Sequence, residues 1–293
     1  MMKVDRRVFL GTVGMAAFAA RTAWARSIKK VGMQLYTVRT DLGKDFDGTL
    51  AKVAAVGYKE VEFAGYFNHT PQQVRDALKR HGLSSPSAHI DYPTVSDPGK
   101  WAKALDDARV IGHRFLVNPW IDEPLRNQPD FWKKAVDVYN AAGASAKRHG
   151  IQFCYHNHNF EFYPGPTSGG KNPIDILLES CDPKLVKIEL DLCWIAAAGK
   201  DPLDYFRRYP GRFPLVHVKG LKKVPPPSAD PAPIPEVLKD LTDVGTDDVV
   251  DWKRIFAKSK EAGIEHYFVE HDVPKDPFAS LKASYEYLSK LEF

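Results

Sequence analysis

The sequence predicts an α/β protein that folds as one (β/α)8 barrel. Three observations support this: apolar segments alternate with segments of helical spacing, a glycine closes most of the helical segments, and eight strand candidates occur along the chain. Strands and helices in alternation form a parallel sheet, and eight such units close into a barrel. The 293 residues are enough for a core of that size. An open doubly wound sheet is the alternative, but no GxGxxG follows the first strand candidate.

Residues 1–25 have the pattern of an export signal. Arg6 and Arg7 precede an apolar run, and Ala23 and Ala25 offer the small side chains that a signal peptidase recognises. This order is typical of a twin-arginine signal, whereas a short N-terminal helix is the alternative. We predict cleavage after Ala25, export to the periplasm and a folded domain at residues 26–293. The apolar run is too short for a stable membrane span after cleavage.

The remaining chain repeats one unit of strand, helix and glycine. Strand candidates lie near residues 30, 60, 87, 115, 153, 188, 215 and 267. Helical apolar spacing is clearest over residues 72–80, 101–110 and 131–148. A glycine just past a helix is the expected left-handed stop, and those that precede a strand are Gly57, Gly82, Gly112, Gly150, Gly211 and Gly263. Six prolines within residues 224–235 predict an extended Pro-rich loop, which we place at 224–248.

Each strand candidate ends in a polar residue that can bind a ligand. These residues are Gln34, Glu62, His89, Asn118, His156 with His158, Asp191, His217 and Glu270. The carboxyl ends of the strands in a barrel converge on one face, so we expect these side chains to meet there. The densest group is His156, His158 and Glu161, which lie within six residues. Buried imidazoles and carboxylates favour a divalent cation as their partner.

Charge and cysteine content exclude two other classes of protein. The whole chain has a net charge of +4, and residues 1–25 contribute four basic residues against one acidic residue, so the mature chain is near neutral. A basic surface for nucleic acid is therefore not supported. Cys154, Cys181 and Cys193 are an odd number and lie in apolar surroundings, so we predict buried free thiols rather than a disulfide framework.

Several motifs resemble those of a known superfamily over almost all of residues 29–290. They are GMQLYTVR at 32–39, GYKEVEFAGY at 57–66, YHNHNFEF at 155–162, ELDLCWIAAAGKDP at 189–202, PLVHVKG at 214–220, VDWKRIF at 250–256 and YFVEHD at 267–272. They resemble the sugar isomerase and epimerase superfamily of xylose-isomerase-like TIM barrels, which includes AP endonuclease family 2-like enzymes. The resemblance implies one bound divalent ion, commonly manganese, magnesium, cobalt or zinc.

The same resemblance implies which residues bind the ion. The ligands of the sixth, seventh and eighth strands match Asp191, His217 and Glu270. The fifth strand, which usually supplies a glutamate, here offers His158, with His156 as the alternative. A histidine at that position removes one of the two carboxylates that serve as acid and base in the epimerases. Glu161 and Glu62 are therefore candidate catalytic residues beside Glu270.

The implied function is α-proton abstraction from a non-phosphorylated sugar through a metal-stabilised enolate, as in an isomerase or epimerase. The alternatives are a lyase or hydrolase that acts on keto-glycosides by β-elimination, and a carbohydrate-binding barrel without turnover. The expected partner is a small sugar or glycoside. Candidate substrate contacts are polar or aromatic residues at strand ends: His89, Tyr36, Gln34, Asn118, Trp120, Trp194 and Lys219.

Overall fold

Eight parallel strands close into a barrel in the computed structural model, which describes residues 26–165 and 167–293. The barrel strands are neighbours in chain order, and the last pairs with the first. They are β1 (Gly32–Gln34), β2 (Glu60–Phe63), β3 (Ser84–His89), β4 (Phe115–Asn118), β5 (Gln152–His156), β6 (Val186–Asp191), β7 (Leu215–Val218) and β10 (His266–Val269). The predicted single-domain (β/α)8 fold is confirmed. The predicted export signal lies outside the described residues.

Helices separate the strands along the described chain. They are α1 (Arg39–Lys44), α2 (Phe46–Val56), α3 (Pro71–Arg80), α4 (Tyr92–Val95), α5 (Pro98–Ile111), α6 (Glu123–Arg126), α7 (Phe131–Arg148), α8 (Pro173–Ser180), α9 (Leu192–Ala197), α10 (Pro202–Arg208), α11 (Ile234–Lys239), α12 (Trp252–Phe256), α13 (Ser259–Ala262) and α14 (Pro277–Leu288), with 3-10 turns at Leu35–Val38 and Phe160–Phe162. The six glycines expected to stop helices all have positive φ angles, from 63° at Gly82 to 126° at Gly57. A side chain at these positions would be strained, which explains why glycine stands there. None of the described helices is long and apolar enough to cross a membrane.

An apolar layer fills the middle of the barrel. Successive side chains of a strand point alternately inward and outward, and the buried inward cluster consists of Phe115, Val117, Cys154, Leu215 and Phe268. Polar side chains lie on both sides of this layer, at the carboxyl ends and the amino ends of the strands. All three cysteines are buried and free, as the sequence predicts.

The polar group at the amino ends of the strands is compact. His266 Nδ1 lies 2.7 Å from Glu60 Oε2, and the ammonium of Lys30 lies 3.4 Å from the other oxygen of Glu60. Glu60 and His266 are both buried. The carboxylate and its two partners line a cavity of about 590 Å³ at that end of the barrel.

The Pro-rich segment is more regular than the sequence predicts. It lies between β8 (Gly220–Leu221) and β9 (Leu241–Thr242), which pair antiparallel outside the barrel. Helix α11 begins at Ile234, with proline in the first turn, where its missing N–H costs no helical hydrogen bond. Side chains of this segment pack on Trp194, and Asn159 Nδ2 donates to the carbonyl of Ala232 over 2.7 Å. The segment thus borders the carboxyl-end mouth of the barrel.

Candidate metal and active site

Three of the predicted metal ligands converge at the carboxyl ends of the last three barrel strands. Asp191, His217 and Glu270 each offer one ligand atom, and these atoms lie within 4.8 Å of one another. His217 Nδ1 lies 2.9 Å from Glu270 Oε2 and 3.9 Å from Asp191 Oδ2. All three side chains are buried. The structure therefore places in contact three residues that are 26 to 79 positions apart in the sequence.

One carboxylate oxygen of Asp191 is hydrogen-bonded to the backbone, and the other has no hydrogen bond. Its Oδ1 accepts the backbone N–H groups of Cys193 and Trp194, both over 2.9 Å, and so caps α9. Its Oδ2 is buried without a hydrogen-bond partner, although the Lys219 ammonium lies 3.2 Å away. Burial raises the pKa of Asp191 to about 6. A buried carboxylate oxygen without a hydrogen bond is what a cation site requires.

Two histidines are candidates for the fourth ligand: His156 at the end of β5 and His158 in the loop that follows. His156 Nε2 lies 3.8 Å from Asp191 Oδ2, and the His156 ring lies 4.5 Å from the His217 ring. The His158 ring lies 5.2 Å beyond His156 and packs between Trp120 and Trp194. Its Nδ1 is buried without a partner, and His158 belongs to neither potential ligand group among the described residues. His156 is not in the group of Asp191, His217 and Glu270, but it belongs to the neighbouring group that shares His217. The geometry favours His156, the alternative, over His158.

Lys219 is a buried cation that neutralises part of this site. Its Nζ lies 2.7 Å from Glu270 Oε2, 3.0 Å from Asp272 Oδ2 and 3.2 Å from Asp191 Oδ2. Burial disfavours the ammonium, but these three carboxylates raise the pKa of Lys219 above its ordinary value. Lys219 therefore stays charged, and its contact with a substrate stays a prediction. Asp272 was not predicted.

A second group of polar side chains lies next to the first and shares His217 with it. His217 Nε2 lies 2.7 Å from Glu62 Oε2, which also accepts from Gln34 Nε2 over 2.7 Å. His89 Nε2 lies 3.1 Å from the same oxygen and 2.8 Å from Glu189 Oε2. Gln34, Glu62 and His89 are thus brought to the mouth, as expected. Glu189 was missed, although it stands two residues before Asp191 and must share its face of the strand.

The charge states of the histidines differ because their neighbours differ. Burial disfavours a charged His89, but Glu62 and Glu189 raise the pKa of its ring to about 9. Burial and the nearby His217 hold the pKa of His156 well below its ordinary value. At neutral pH the site therefore contains a protonated His89 beside a neutral His156.

Glu161 and Asn118 lie on the other side of the strands. Tyr155 donates its hydroxyl to Glu161 Oε1 over 2.5 Å, and the backbone N–H of His158 donates to Glu161 Oε2 over 2.8 Å. Asn118 Oδ1 accepts the hydroxyl of Tyr139, a residue of α7, over 2.7 Å. Both side chains therefore face the helix layer and do not join the cluster. Glu161 holds the segment that carries His158.

The predicted aromatic contacts lie at different depths. Tyr36 is 40% exposed at the rim, where the guanidinium of Arg39 lies 3.9 Å from the centre of its ring. Trp120 is half-buried and packs edge-on against His158 at 4.9 Å. Trp194 is buried, 5.6 Å from the Lys219 ammonium. Tyr36 and Trp120 are accessible to a sugar ring, whereas Trp194 forms part of the wall.

The donor set fits a divalent cation. Imidazole nitrogens and carboxylate oxygens suit zinc, cobalt, manganese and related ions. His156 Nε2, Asp191 Oδ2, His217 Nδ1 and Glu270 Oε2 would hold the ion, and the unpartnered Asp191 Oδ2 is the observation that this fit explains.

A family model described as "Xylose isomerase-like TIM barrel" matches residues 50–291. Among curated proteins, inosose dehydratase of Lacticaseibacillus casei is 23% identical over 278 residues, which are 85% of this chain and 91% of that protein. Inosose dehydratase of Clostridium perfringens is 25% identical over 203 residues, 62% of this chain and 67% of that protein. A crystal structure of a sugar phosphate isomerase/epimerase from Parabacteroides distasonis superposes with a TM-score of 0.75 and 26% identity, covering 94% of this chain and 97% of that one.

Proposed function

The chain belongs to the xylose isomerase-like TIM barrel family, and from that premise we propose that it is a metal-dependent lyase acting on a sugar or cyclic polyol ketone. It removes the proton beside the carbonyl group and expels the substituent of the next carbon. The observation that carries the proposal is the convergence of Asp191, His217 and Glu270 beside a fifth strand that ends in His156 instead of a carboxylate. The similarity to inosose dehydratases supports an elimination.

The residues of the site divide the chemical work. A divalent ion held by His156, Asp191, His217 and Glu270 would withdraw electron density from a bound carbonyl oxygen and make the adjacent C–H bond more acidic. The Lys219 ammonium, already surrounded by carboxylates, stabilises negative charge that develops on the same oxygen. Burial within the barrel excludes bulk water and strengthens both interactions.

Glu270 is the candidate base. Its Oε2 contacts Lys219 and His217, and within the described part of the chain its Oε1 has no hydrogen bond. Burial opposes its charge, but Lys219 and His217 hold the pKa of Glu270 well below its usual range, so the carboxylate is ionised. The carboxylate of Glu62, by contrast, is hydrogen-bonded to Gln34, His217 and Ser87, so it is suited to orienting these side chains.

His89 is the candidate acid. Glu62 and Glu189 keep its ring protonated through Nε2, and its Nδ1 has no hydrogen bond to any described residue. As Glu270 takes the α-proton, the C–H electron pair forms a carbon–carbon double bond and the β C–O bond breaks. The departing oxygen takes a proton from His89, and the products are an α,β-unsaturated ketone and water or an alcohol.

Epimerisation or isomerisation is the second candidate function. The sugar phosphate isomerase/epimerase of Parabacteroides distasonis, 26% identical over most of both chains, supports it. The fifth strand, however, supplies no carboxylate to pair with Glu270, because it ends in His156, and Glu161 after it faces the helix layer and binds Tyr155. The export signal expected at residues 1–25 would place the protein where phosphorylated sugars are scarce, so we propose a non-phosphorylated substrate.

Products formed in heavy water distinguish the candidates. The metal-loaded protein is incubated with inosose, with 3-keto-glycosides and with simple ketoses, and the mixture is followed by NMR. An unsaturated ketone with release of water or alcohol supports the lyase. A stereoisomer or ketose–aldose product carrying deuterium beside the carbonyl supports the second candidate. No exchange with any compound refutes both and leaves a carbohydrate-binding barrel. Glu270→Gln should abolish exchange, whereas Glu161→Gln, a matched change on the outer face, should retain it.

A further inference from the structure

Three imidazoles converge on one oxygen of Glu189, a residue that opens the motif at 189–202 but is not among the predicted site residues. Glu189 Oε2 lies 2.8 Å from His89 Nε2, 3.1 Å from His156 Nδ1 and 3.2 Å from His217 Nε2. Glu189 is completely buried inside the barrel. A carboxylate oxygen has two lone pairs, and the third imidazole, His217, makes its shorter contact with Glu62 Oε2 at 2.7 Å. Glu189 and Glu62 together therefore bind all three rings.

These contacts determine where the protons of two rings lie. An ionised carboxylate oxygen can only accept, so the nitrogens facing it carry hydrogen: Nδ1 of His156 and Nε2 of His217. The opposite nitrogens are His156 Nε2 and His217 Nδ1, which lie 3.8 and 3.9 Å from Asp191 Oδ2. Both thus face Asp191 Oδ2, one of two buried carboxylate oxygens without a hydrogen-bond partner among the described residues; the other is Glu189 Oε1.

We propose that Glu189 is a positioning residue that fixes His156 as an Nε2 ligand and, together with Glu62, fixes His217 as an Nδ1 ligand of the cation. This inference rests on the metal site of the proposed function and names the residue that assembles it. A cation held at His217 Nδ1 would need that nitrogen without hydrogen, whereas Nε2 would keep its hydrogen toward Glu62 Oε2. Carboxylates behind metal-binding histidines commonly act in this way.

The same four residues could instead hold a second cation, since ligand atoms of His89, His156, Glu189 and His217 lie within 4.8 Å of one another. The distances favour hydrogen bonds. Glu189 Oε2 lies 2.8, 3.1 and 3.2 Å from the three ring nitrogens, and each distance is within the range of a hydrogen bond from a nitrogen donor. Glu189 is also the common partner of all three rings.

The test compares Glu189→Gln with Glu60→Gln. Both variants keep the size of a buried glutamate that binds a histidine, but Glu60 binds His266 at the amino ends of the strands. Calorimetric titration of the metal-free proteins with zinc should give one site in the wild type and an affinity about 10- to 100-fold lower in Glu189→Gln. Glu60→Gln should bind zinc like the wild type, and Glu189→Asp, which restores the charge, should recover part of the affinity.

Nitrogen NMR of the histidine rings supplies a readout that does not depend on activity or affinity. In the wild type we expect hydrogen on Nδ1 of His156 with and without zinc, and on Nε2 of His217 in the zinc form. Loss of the Nδ1–H form of His156 in Glu189→Gln would support the proposal. If that variant does not fold, the wild-type spectra alone test the proposal. Three results would overturn the proposal. The first is hydrogen on Nε2 of His156, and the second is an unchanged zinc affinity in Glu189→Gln. The third is binding of two zinc ions by the wild type, one of which the variant loses. If the wild type binds no zinc, the proposed function fails, while the metal-free His156 spectrum still tests the role of Glu189.

Discussion

Replacing Glu161 with glutamine should change the pH dependence of stability and leave turnover nearly intact. Both carboxylate oxygens of Glu161 are bound on the outer side of β5, by Tyr155 and by the backbone of His158. Burial raises the pKa of Glu161 from 4.5 to about 7 despite these hydrogen bonds. In the folded protein the carboxyl group therefore keeps its proton at a pH where the unfolded chain has released it.

The sign and size of the effect follow from proton linkage. Between pH 4.5 and 7 the folded state binds a proton at Glu161 that the unfolded state lacks, so the free energy of unfolding falls as the pH rises. Each pH unit of difference in pKa corresponds to about 1.4 kcal/mol, so the pKa change at Glu161 corresponds to about 3 kcal/mol across this window. Because Glu161→Gln cannot titrate, its free energy of unfolding relative to the wild type should rise by about 3 kcal/mol from pH 4.5 to 7.5.

Urea unfolding of both proteins at intervals of half a pH unit measures this difference. Asp201→Asn is the control: burial opposes the charge of Asp201, but its hydrogen bond with Arg254 lowers its pKa below the ordinary value, and the arginine stays charged throughout this range. The difference between Asp201→Asn and the wild type should stay constant from pH 5 to 8. A constant difference for Glu161→Gln would refute the reasoning. A loss of turnover of about 100-fold or more in Glu161→Gln would restore Glu161 as an acid–base catalyst.

Four further predictions concern the site and its surroundings. Asp191→Asn should reduce bound metal by about tenfold or more in elemental analysis, because it removes the charge of the unpartnered oxygen; unchanged content would exclude Asp191 as a ligand. His156→Ala should lower metal content more than His158→Ala, and the reverse order would make His158 the ligand. Asn118→Ala should lower the free energy of unfolding by about 1–3 kcal/mol, since it leaves buried polar groups without partners, with KM unchanged; a higher KM at unchanged stability would argue for a substrate contact. Trp120→Ala should raise KM several-fold at unchanged kcat, and an unchanged KM would exclude stacking on the substrate.

The barrel could be predicted because its signals are local and repeated. Each helix that ends in a glycine commits the chain to a turn, and the positive φ angles at all six predicted positions confirm this. The Pro-rich segment was harder. Its prolines exclude a helix interior but allow a first turn, so helix α11 begins at Ile234 inside a segment that the sequence describes as a loop.

The sequence predicts which residues lie near the site better than it predicts which way their side chains point. Asp191, His217 and Glu270 meet as the strand ends imply, but Asn118 also ends a strand and faces α7. Alternation along a strand means that a shift of one residue turns a side chain to the other face, and the sequence does not fix where each strand leaves the barrel. Glu189 could have been found by the same rule, since it lies two residues before Asp191.

The apolar layer of Phe115, Val117, Cys154, Leu215 and Phe268 separates the polar groups at the two ends of the barrel strands. A substrate of the proposed reaction would enter and leave at the carboxyl ends, through the mouth bordered by Tyr36, Trp120 and the Pro-rich segment. Any partner or ligand that covers this mouth would isolate the reacting groups from solvent and stop turnover without touching a catalytic side chain.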